Sequence, residues 1–177
     1  KNGIKMSKSK GNVVSPDDLV RDYGCDSLRM YELFVGPPEL DAEWDDRGID
    51  GVNRFLKRLW NLVMDSKDAD VKATKDMIKE RHRLVYDITT RLENFSLNTA
   101  ISGFMEHNNK LIEIAKKEGA IDKETLSTMA VLLSPFAPHI AEEIWEQLGH
   151  EGSVFAAGWP TYDMEAMKVD EIGRAHV

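Results

Sequence analysis

The stretch "GVNRFLKRLWNLV", residues 51–63, decides the fold of this 177-residue chain. Its apolar side chains recur every three or four residues, the spacing that places them on one side of an α-helix. They are Val52, Phe55, Leu56, Leu59, Leu62 and Val63. The opposite side carries Arg54, Lys57 and Arg58. The pattern predicts a helix over about residues 47–65 that buries one face and presents a basic face to solvent.

The chain after this helix repeats the amphipathic pattern. Helical spacing of apolar residues predicts two long helices, over residues 75–93 and 96–117. Asp122 and Pro138 are each placed to begin a further helix, and Gly149 ends the last one. Four or five helices joined by short loops indicate an antiparallel bundle, so the predicted fold class is mainly α.

Residues 1–44 precede the bundle and are expected to form a smaller, separately organised unit. Ser15 and Pro16 are typical of a helix start, and Gly24 is typical of a helix end. A second short helix is predicted to begin at Asp26 and to end before the Gly-Pro-Pro sequence that follows it. This unit therefore contributes two short helices behind a lysine-rich loop.

Three further boundaries complete the predicted organisation. The bundle occupies residues 45–150, and residues 151–170 begin a connection to a further domain. Within this connection, "VFAAGWP" is expected to be extended and to pack Trp159 against the bundle. The last stretch, "EIGRAHV" at residues 171–177, is similar to a sequencing adaptor translated in frame. We expect it to be non-native and give it no functional role.

Charge is unevenly distributed along the chain. The formal net charge of −8 argues against a general nucleic-acid binder, because phosphate affinity comes mainly from lysine and arginine. Residues 1–12, however, carry four lysines and no acid, and residues 45–93 carry eleven basic and ten acidic residues. Local anion or RNA surfaces thus remain compatible with the acidic total.

Cysteine and histidine usage limits the possible sites. Cys25 is the only cysteine, which excludes an intramolecular disulfide, and we expect it to be buried as a small apolar residue. Five histidines without a second thiol do not make a zinc site, so no metal site is predicted. His82 and His107 are expected on polar helix faces, and His139 in a structural role.

No segment has the pattern of a membrane span or a secretory signal. The longest apolar runs are short and interrupted by proline. With a single cysteine, this pattern favours a reducing compartment, and we predict a cytoplasmic protein.

The loop "KMSKSKG", residues 5–11, concentrates positive charge. Three lysines within six residues repel one another unless they are solvated or bind an anion. The serines and the glycine let the backbone approach a ligand, so such a loop can close over a polyphosphate. The alternative is a solvated basic loop that binds nothing.

Residues 5–9, "KMSKS", resemble the signature loop of class I aminoacyl-tRNA synthetases. The longer stretch "KMSKSKGNVVSPDDLVRDYGCDSLRMYELF" is similar to their leucyl, isoleucyl, valyl and methionyl subgroup. Within it, "YELFVGPPELDAEWDDRGIDGVNRFLKRLWNLV", "LLSPFAPHIAEEIWEQLG" and "WPTYD" resemble the bacterial leucyl type. The resemblance covers residues 1–165.

This resemblance implies a fold and a reaction. The bundle would be an anticodon-binding-type domain, preceded by the KMSKS end of a catalytic α/β domain. Such enzymes use ATP with Mg²⁺ to convert leucine to leucyl-adenylate, and transfer the leucine to tRNA(Leu). The resemblance implies that Lys8 is the main catalytic contact to the triphosphate, with Lys5 in support. Met6, Ser7 and Ser9 would complete the ATP-binding loop.

The resemblance also implies a tRNA surface on the bundle. Basic residues on the polar sides of the first two bundle helices are the candidate phosphate contacts. They are Arg54, Lys57, Arg58, Lys75, Lys79, Arg81 and Arg83, with His82 among them. The alternative is a solvated surface whose charges compensate nearby acids.

Other features of the subgroup do not occur in this chain. Its His-x-Gly-His signature is absent, as is its inserted editing domain, and the leucine pocket would lie upstream. We therefore expect the chain to begin inside the catalytic domain and to be inactive alone. A monomer is the family default.

Two alternatives remain open. They are an isoleucyl, valyl or methionyl enzyme and a non-catalytic tRNA-binding helical module. A third, a structural bundle whose lysine loop binds nothing, does not explain the signature sequence.

Overall fold

The computed structural model describes residues 1–168. Within that range the regular structure consists of α-helices and three short 3₁₀ turns, without a β-strand. The mainly α prediction is therefore confirmed. The expected non-native tail, residues 171–177, lies outside the described residues.

The helices follow one another with short connections. Two short ones come first, α1 at Pro16–Tyr23 and α2 at Cys25–Phe34. The bundle helices are α3 (Gly48–Ser66), α4 (Lys75–Glu93), α5 (Leu97–Glu118), α6 (Lys123–Leu133) and α7 (Pro138–Gln147). These boundaries agree with the predicted ones to within one or two residues.

The apolar stripe of α3 forms the centre of the core. All six residues predicted for it are buried, and Val52, Leu59 and Val63 have no exposed surface. They pack with the apolar faces of α5 and α7. Phe104 of α5 meets Phe136, in the connection between α6 and α7, edge to face with ring centroids 5.4 Å apart. Burial of this stripe against other helices is what stabilises α3.

Helix ends are set by local side chains. Thr74 caps α4 by accepting a hydrogen bond from the Met77 amide at 3.4 Å. Asp122 caps α6 by accepting from the Thr125 amide at 3.0 Å and from the Thr125 hydroxyl at 2.6 Å. Such caps satisfy backbone donors that a helix start leaves free.

Helix α2 shares the core of the bundle. Met30 and Tyr31 are buried in the same apolar cluster as the bundle residues. The Tyr31 hydroxyl donates to the Asp45 carbonyl oxygen at 2.5 Å, which fixes the chain just before α3. Helix α2 is thus joined to the bundle through a continuous interior, whereas the lysine loop and α1 contribute no buried residue to it.

A C-terminal strap, residues 154–168, runs along α4. The stretch that was expected to be extended begins instead with a 3₁₀ turn, Val154–Ala156, because Val154 is buried and Ser153 caps the turn. Trp159 does pack on the bundle, and its indole nitrogen donates to the Thr89 hydroxyl at 3.0 Å. Tyr162 meets Tyr86 edge to face at 5.2 Å.

Cys25 is exposed, so the expectation that it is buried was wrong. It is the first residue of α2 and lines an open cavity beside α3, where no element covers it. No helix within residues 1–168 is long and apolar enough to cross a membrane.

Candidate functional site

The neck of the lysine loop is held by Asn12. The Ser7 amide donates to the Asn12 side-chain oxygen at 2.9 Å, and the Asn12 amide group donates to the Lys5 carbonyl at 3.3 Å. Both bonds join the two sides of the loop and leave its lysine side chains uninvolved. Sequence reasoning missed this residue, although an asparagine after Gly11 is typical of a turn that bonds its own backbone.

The tip of the loop is a 3₁₀ turn over Lys8–Lys10. The Gly11 amide donates to the Lys8 carbonyl at 3.1 Å, and Gly11 has a φ of 62°, a left-handed conformation that glycine adopts without strain. Ser7 and Ser9 share a hydrogen bond between their hydroxyl oxygens, 3.1 Å apart. The tip is therefore compact and closed by its own backbone.

The loop lysines lack counter-charges. Lys5, Lys8 and Lys10 are exposed, and among residues 1–168 no carboxylate oxygen lies within 4.0 Å of their amino groups. Lys1, by contrast, pairs with Asp46 at 2.7 Å. Three unpaired ammonium groups on one compact loop favour binding of a multivalent anion.

A cavity of about 490 Å³ lies behind the loop. Lys5 and Met6 line it together with residues 41–44, and Glu43 accepts a hydrogen bond from the Gly3 amide at 2.8 Å. Lys5 and Met6 are thus at this cavity, whereas Lys8 is on the 3₁₀ turn beyond it.

The lysine loop does not fit a resident divalent cation. Mg²⁺ prefers oxygen ligands, chiefly carboxylates, and the loop offers none. Elsewhere in residues 1–168, no group of three His, Cys, Asp or Glu side chains is arranged to hold a metal ion.

The basic face of α3 is available to a ligand. Arg54, Lys57 and Arg58 are exposed, and within the described chain none of them has an ion-pair partner. Lys57 lines the cavity beside Cys25, and Arg58 lines a second cavity between α3 and α5. The structure keeps these three charges together on one helix.

Some basic residues of α4 line a groove toward α5, and some contact acids or the strap within the protein. Lys79 and Arg83 line the groove, which has a volume of about 460 Å³. Lys110 and Lys117 of α5 line the same groove, and sequence reasoning missed both because it treated each helix separately. Lys75 is exposed at the start of α4.

Arg81 and its two neighbours contact other parts of the protein. The Arg81 guanidinium lies 2.8 Å from Glu124 and 3.6 Å from Asp122, and its side chain is only 13% exposed. His82 accepts a hydrogen bond from the strap amide of Asp163 at 3.0 Å, and Arg83 donates to the Met167 carbonyl at 3.3 Å. The structure thus gives these residues packing roles that the sequence did not predict.

His107 is buried between two carboxylates, so its predicted place on a polar face was wrong. Its Nδ1 lies 2.5 Å from Glu80, and its Nε2 lies 2.9 Å from Asp87, both on α4. Arg91 pairs with Asp87 at 2.8 Å and completes the group. The pattern of α5 alone could not show that α4 covers this face. The group joins the two helices and lies away from the lysine loop.

Comparison with known proteins connects the loop and the bundle to described families. Residues 1–45 match the family described as tRNA synthetases class I (I, L, M and V). Residues 74–175, more than half of the chain, match the family described as anticodon-binding domain of tRNA ligase. The chain belongs to this anticodon-binding family. The resemblance stated from the sequence is thereby confirmed.

Bacterial leucine–tRNA ligases are similar to the chain over nearly its whole length. The protein from Thermosipho melanesiensis is 48% identical over 97% of the chain. That from Phocaeicola vulgatus is 47% identical over 95% of it. The chain spans only 23% and 18% of the lengths of these two relatives.

A solved structure shows the same arrangement of helices. It is the crystal structure of an Agrobacterium radiobacter LeuRS in a ternary complex with tRNA and LeuAMS. The TM-score is 0.81 at 30% identity, over 94% of this chain and 24% of that one. The anticodon-binding fold of the bundle is thus supported by sequence and by structure.

Proposed function

We propose that this chain is the lysine-loop and tRNA-binding part of a leucine–tRNA ligase. The observation that carries the proposal is the compact loop with three unpaired lysines, which lies just before two short helices, the second of which shares the core of a helical bundle with basic faces. The similarity to bacterial leucine–tRNA ligases supports leucine as the amino acid. In this proposal residues 1–44 end the catalytic domain, residues 45–150 bind tRNA, and residues 151–170 begin a connection to a further domain.

The first chemical step joins leucine to ATP. A leucine carboxylate oxygen attacks the α-phosphorus, a new C–O–P linkage forms, and the bond to the β-phosphate breaks. The products are leucyl-adenylate and pyrophosphate. The leaving pyrophosphate gains negative charge, so cations that contact it more closely in the transition state than in the ground state lower the barrier.

The loop residues have distinct roles in that step. Lys8, on the exposed 3₁₀ turn, contacts the triphosphate, and Lys5 adds a second cation. Met6 lies beside Lys5 in the ATP-binding loop, and Ser7 and Ser9 supply hydroxyl donors. ATP would bring Mg²⁺ with it, because the loop has no ligands for this ion.

In the second step a ribose hydroxyl of the 3′-terminal adenosine of tRNA(Leu) attacks the carbonyl carbon of leucyl-adenylate, an ester bond forms, and the bond to AMP breaks. The proposed phosphate contacts are Arg54, Lys57, Arg58, Lys75, Lys79 and Arg83. Arg81 is left out, since its charge is compensated by Glu124 and Asp122. Lys110 is added because it lines the same groove as Lys79. Lys117 also lines this groove but is left out, since it pairs with Asp76 at 3.1 Å. The enzyme would act as a monomer in the cytoplasm.

Amino-acid-dependent exchange of pyrophosphate into ATP tests the proposal. The assay uses the complete enzyme that carries this segment, with leucine, isoleucine, valine and methionine in turn. Exchange with leucine alone is expected. Exchange with another of the four would refute the assignment to leucine, and no exchange with any would refute the enzymatic role. The isolated 177-residue chain is expected to show none.

A further inference from the structure

Asp26, the second residue of α2, caps a helix more than one hundred residues away. Its Oδ2 accepts a hydrogen bond from the Ile140 amide at 2.7 Å. Its Oδ1 accepts one from the His139 amide at 3.3 Å and lies 2.9 Å from His139 Nδ1. The carboxylate thus stands at the positive end of the α7 dipole.

Helix α7 has no capping side chain from its own sequence. Its N-cap position is Ala137, and Pro138 follows at the first helical position. The free amides that a helix start leaves behind need acceptors, and α2 supplies them through Asp26. The side chain of Asp26 is only 11% exposed, so water does not readily replace it.

Arg29 makes the complementary contact three residues along the same helix. Its Nη2 donates to the Pro135 carbonyl at 3.0 Å, and its Nε donates to the Phe136 carbonyl at 3.3 Å. These carbonyls follow the C-terminal end of α6, where a cation is favoured. Residues three apart share one helix face, so α2 places an acid and a base on the two sides of the α6–α7 corner.

A third polar contact joins the α1–α2 turn to α3. The Asn53 amide group donates to the Tyr23 carbonyl at 3.2 Å and to the Ser27 hydroxyl at 3.1 Å. Helix α1 begins only five residues after Gly11 of the lysine loop. The loop, α1, α2 and the bundle are therefore connected by a short chain segment and by directional hydrogen bonds.

We propose that Asp26 and Arg29 are positioning residues for leucine transfer. They hold the α6–α7 corner of the tRNA-binding bundle in a fixed relation to the lysine loop. The 3′ end of a tRNA bound on the bundle is thereby aligned with the adenylate formed at the loop. This inference rests on the proposed function, because it assigns ATP to the loop and tRNA to the bundle.

The polar contacts and the apolar contacts of α2 have different effects. Met30 and the ring of Tyr31 bury apolar surface, which holds α2 on the bundle without fixing its direction, and the Tyr31 hydroxyl bonds only the chain just before α3. The hydrogen bonds of Asp26 and Arg29 are directional. Without these hydrogen bonds, α2 should stay on the bundle but in a less exact position. A misplacement of reacting groups by about 1 Å can lower the rate on the order of 10²-fold.

The test compares three measurements on the complete enzyme. They are the single-turnover transfer rate from preformed leucyl-adenylate to saturating tRNA(Leu), leucine-dependent pyrophosphate exchange, and the Kd for tRNA. The variants are Asp26→Asn and Arg29→Gln. The matched controls are Asp18→Asn and Arg21→Gln, which make the same charge changes in an exposed α1 pair 2.9 Å apart.

Each variant is expected to lower the transfer rate by about tenfold or more. Exchange and tRNA Kd should stay within about threefold of wild type, since neither the loop nor the phosphate contacts change. Both controls should transfer normally. An unchanged transfer rate in the variants would overturn the inference, as would a parallel loss of transfer and exchange, which indicates general unfolding.

A second-site variant separates positioning from simple helix capping. Ala137→Ser gives α7 a capping hydroxyl of its own. Added to Asp26→Asn, it should raise the melting temperature without restoring transfer, because the bond to α2 is still missing. Recovery of both would overturn the inference. A wild-type enzyme without leucine-dependent exchange would instead refute the proposed function, and this inference with it.

Discussion

Asn12 shows how one neutral side chain organises a cationic loop. By bonding Ser7 and Lys5, it restricts the backbone while the lysine side chains stay free in solvent. A loop that is already restricted loses less conformational entropy when a ligand binds, so its ordering costs less free energy. We infer that the loop is partly organised before a polyphosphate arrives.

Lys8→Ala should lower the turnover of leucine-dependent pyrophosphate exchange by on the order of 10²-fold, because one stabilising cation leaves the transition state. The KM for leucine should change far less, since in the proposed function Lys8 contacts the triphosphate and not leucine. Steady-state exchange kinetics of the complete enzyme measure both. Lys10→Ala removes the same charge from the same turn and serves as the control. Equal effects of the two variants would contradict a specific role for Lys8.

His107→Leu should destabilise the fold by about 3 kcal/mol. The change leaves Glu80, whose side chain is 5% exposed, buried without its imidazole partner. Urea unfolding of the 177-residue chain, followed by circular dichroism, measures the difference. Adding Glu80→Leu should recover part of the loss, because an unpaired buried carboxylate costs more than an apolar pair. A loss below about 1 kcal/mol would show that water replaces the imidazole.

The burial and contacts of individual side chains were the hardest features to predict from the sequence. Periodicity placed Val52 and Leu59 correctly, because a helix buries its apolar stripe whatever covers it. It could not place Cys25 or His107, whose burial depends on whether another helix lies over that face. The capping of α7 by Asp26 could not be predicted either, because only the tertiary fold brings Asp26 close to that helix.

At the scale of elements, the helices were predicted to within two residues. Their ends are marked by local chemistry, such as Asp122 before α6 and Pro138 at the start of α7. The strap was not predicted correctly, because its 3₁₀ turn depends on burial of Val154 against the bundle. Short irregular segments take their conformation from what they pack on.

Two glycines of α3 provide a matched pair of predictions. A Cβ at Gly51 would meet nothing within 4 Å, so Gly51→Ala should stabilise the chain by about 0.5–1 kcal/mol. A Cβ at Gly48 would lie 2.7 Å from the Tyr31 hydroxyl and overlap the ring. Gly48→Ala should therefore destabilise by about 1–3 kcal/mol. Urea unfolding measures both, and shifts of the same sign would contradict the packing of Tyr31 on Gly48 that the structure shows.

On the scale of the whole molecule, basic groups of this acidic chain are concentrated on the lysine loop, the basic face of α3 and the α4–α5 groove. Within residues 1–168 the loop lysines and the basic face of α3 have no ion-pair partner, whereas Arg81 is compensated within the bundle. Charge counts along the sequence indicated where basic residues cluster. They could not separate free cations from paired ones, because the acids that pair with Arg81 come from α6.

The double variant Lys57→Gln/Arg58→Gln should weaken tRNA binding and reduce its salt dependence. The slope of log affinity against log salt should fall by about 0.7–0.9 for each lost phosphate contact. Filter binding over a range of salt concentrations measures it, while pyrophosphate exchange should stay unchanged. Arg21→Gln/Arg47→Gln removes the same charge from arginines paired with Asp18 and Asp45. An equal reduction of the slope by the control variant would show that tRNA binding depends on net charge alone, and would contradict phosphate contacts by Lys57 and Arg58.

The exposed thiol of Cys25 has a practical consequence. It is the only cysteine among the 177 residues, and it begins α2 next to Asp26, directly after the turn that joins α1 to α2. A maleimide fluorophore or spin label would therefore attach to this segment at a single natural position. Its mobility would report how firmly the turn is held, without any engineered cysteine in this part of the protein.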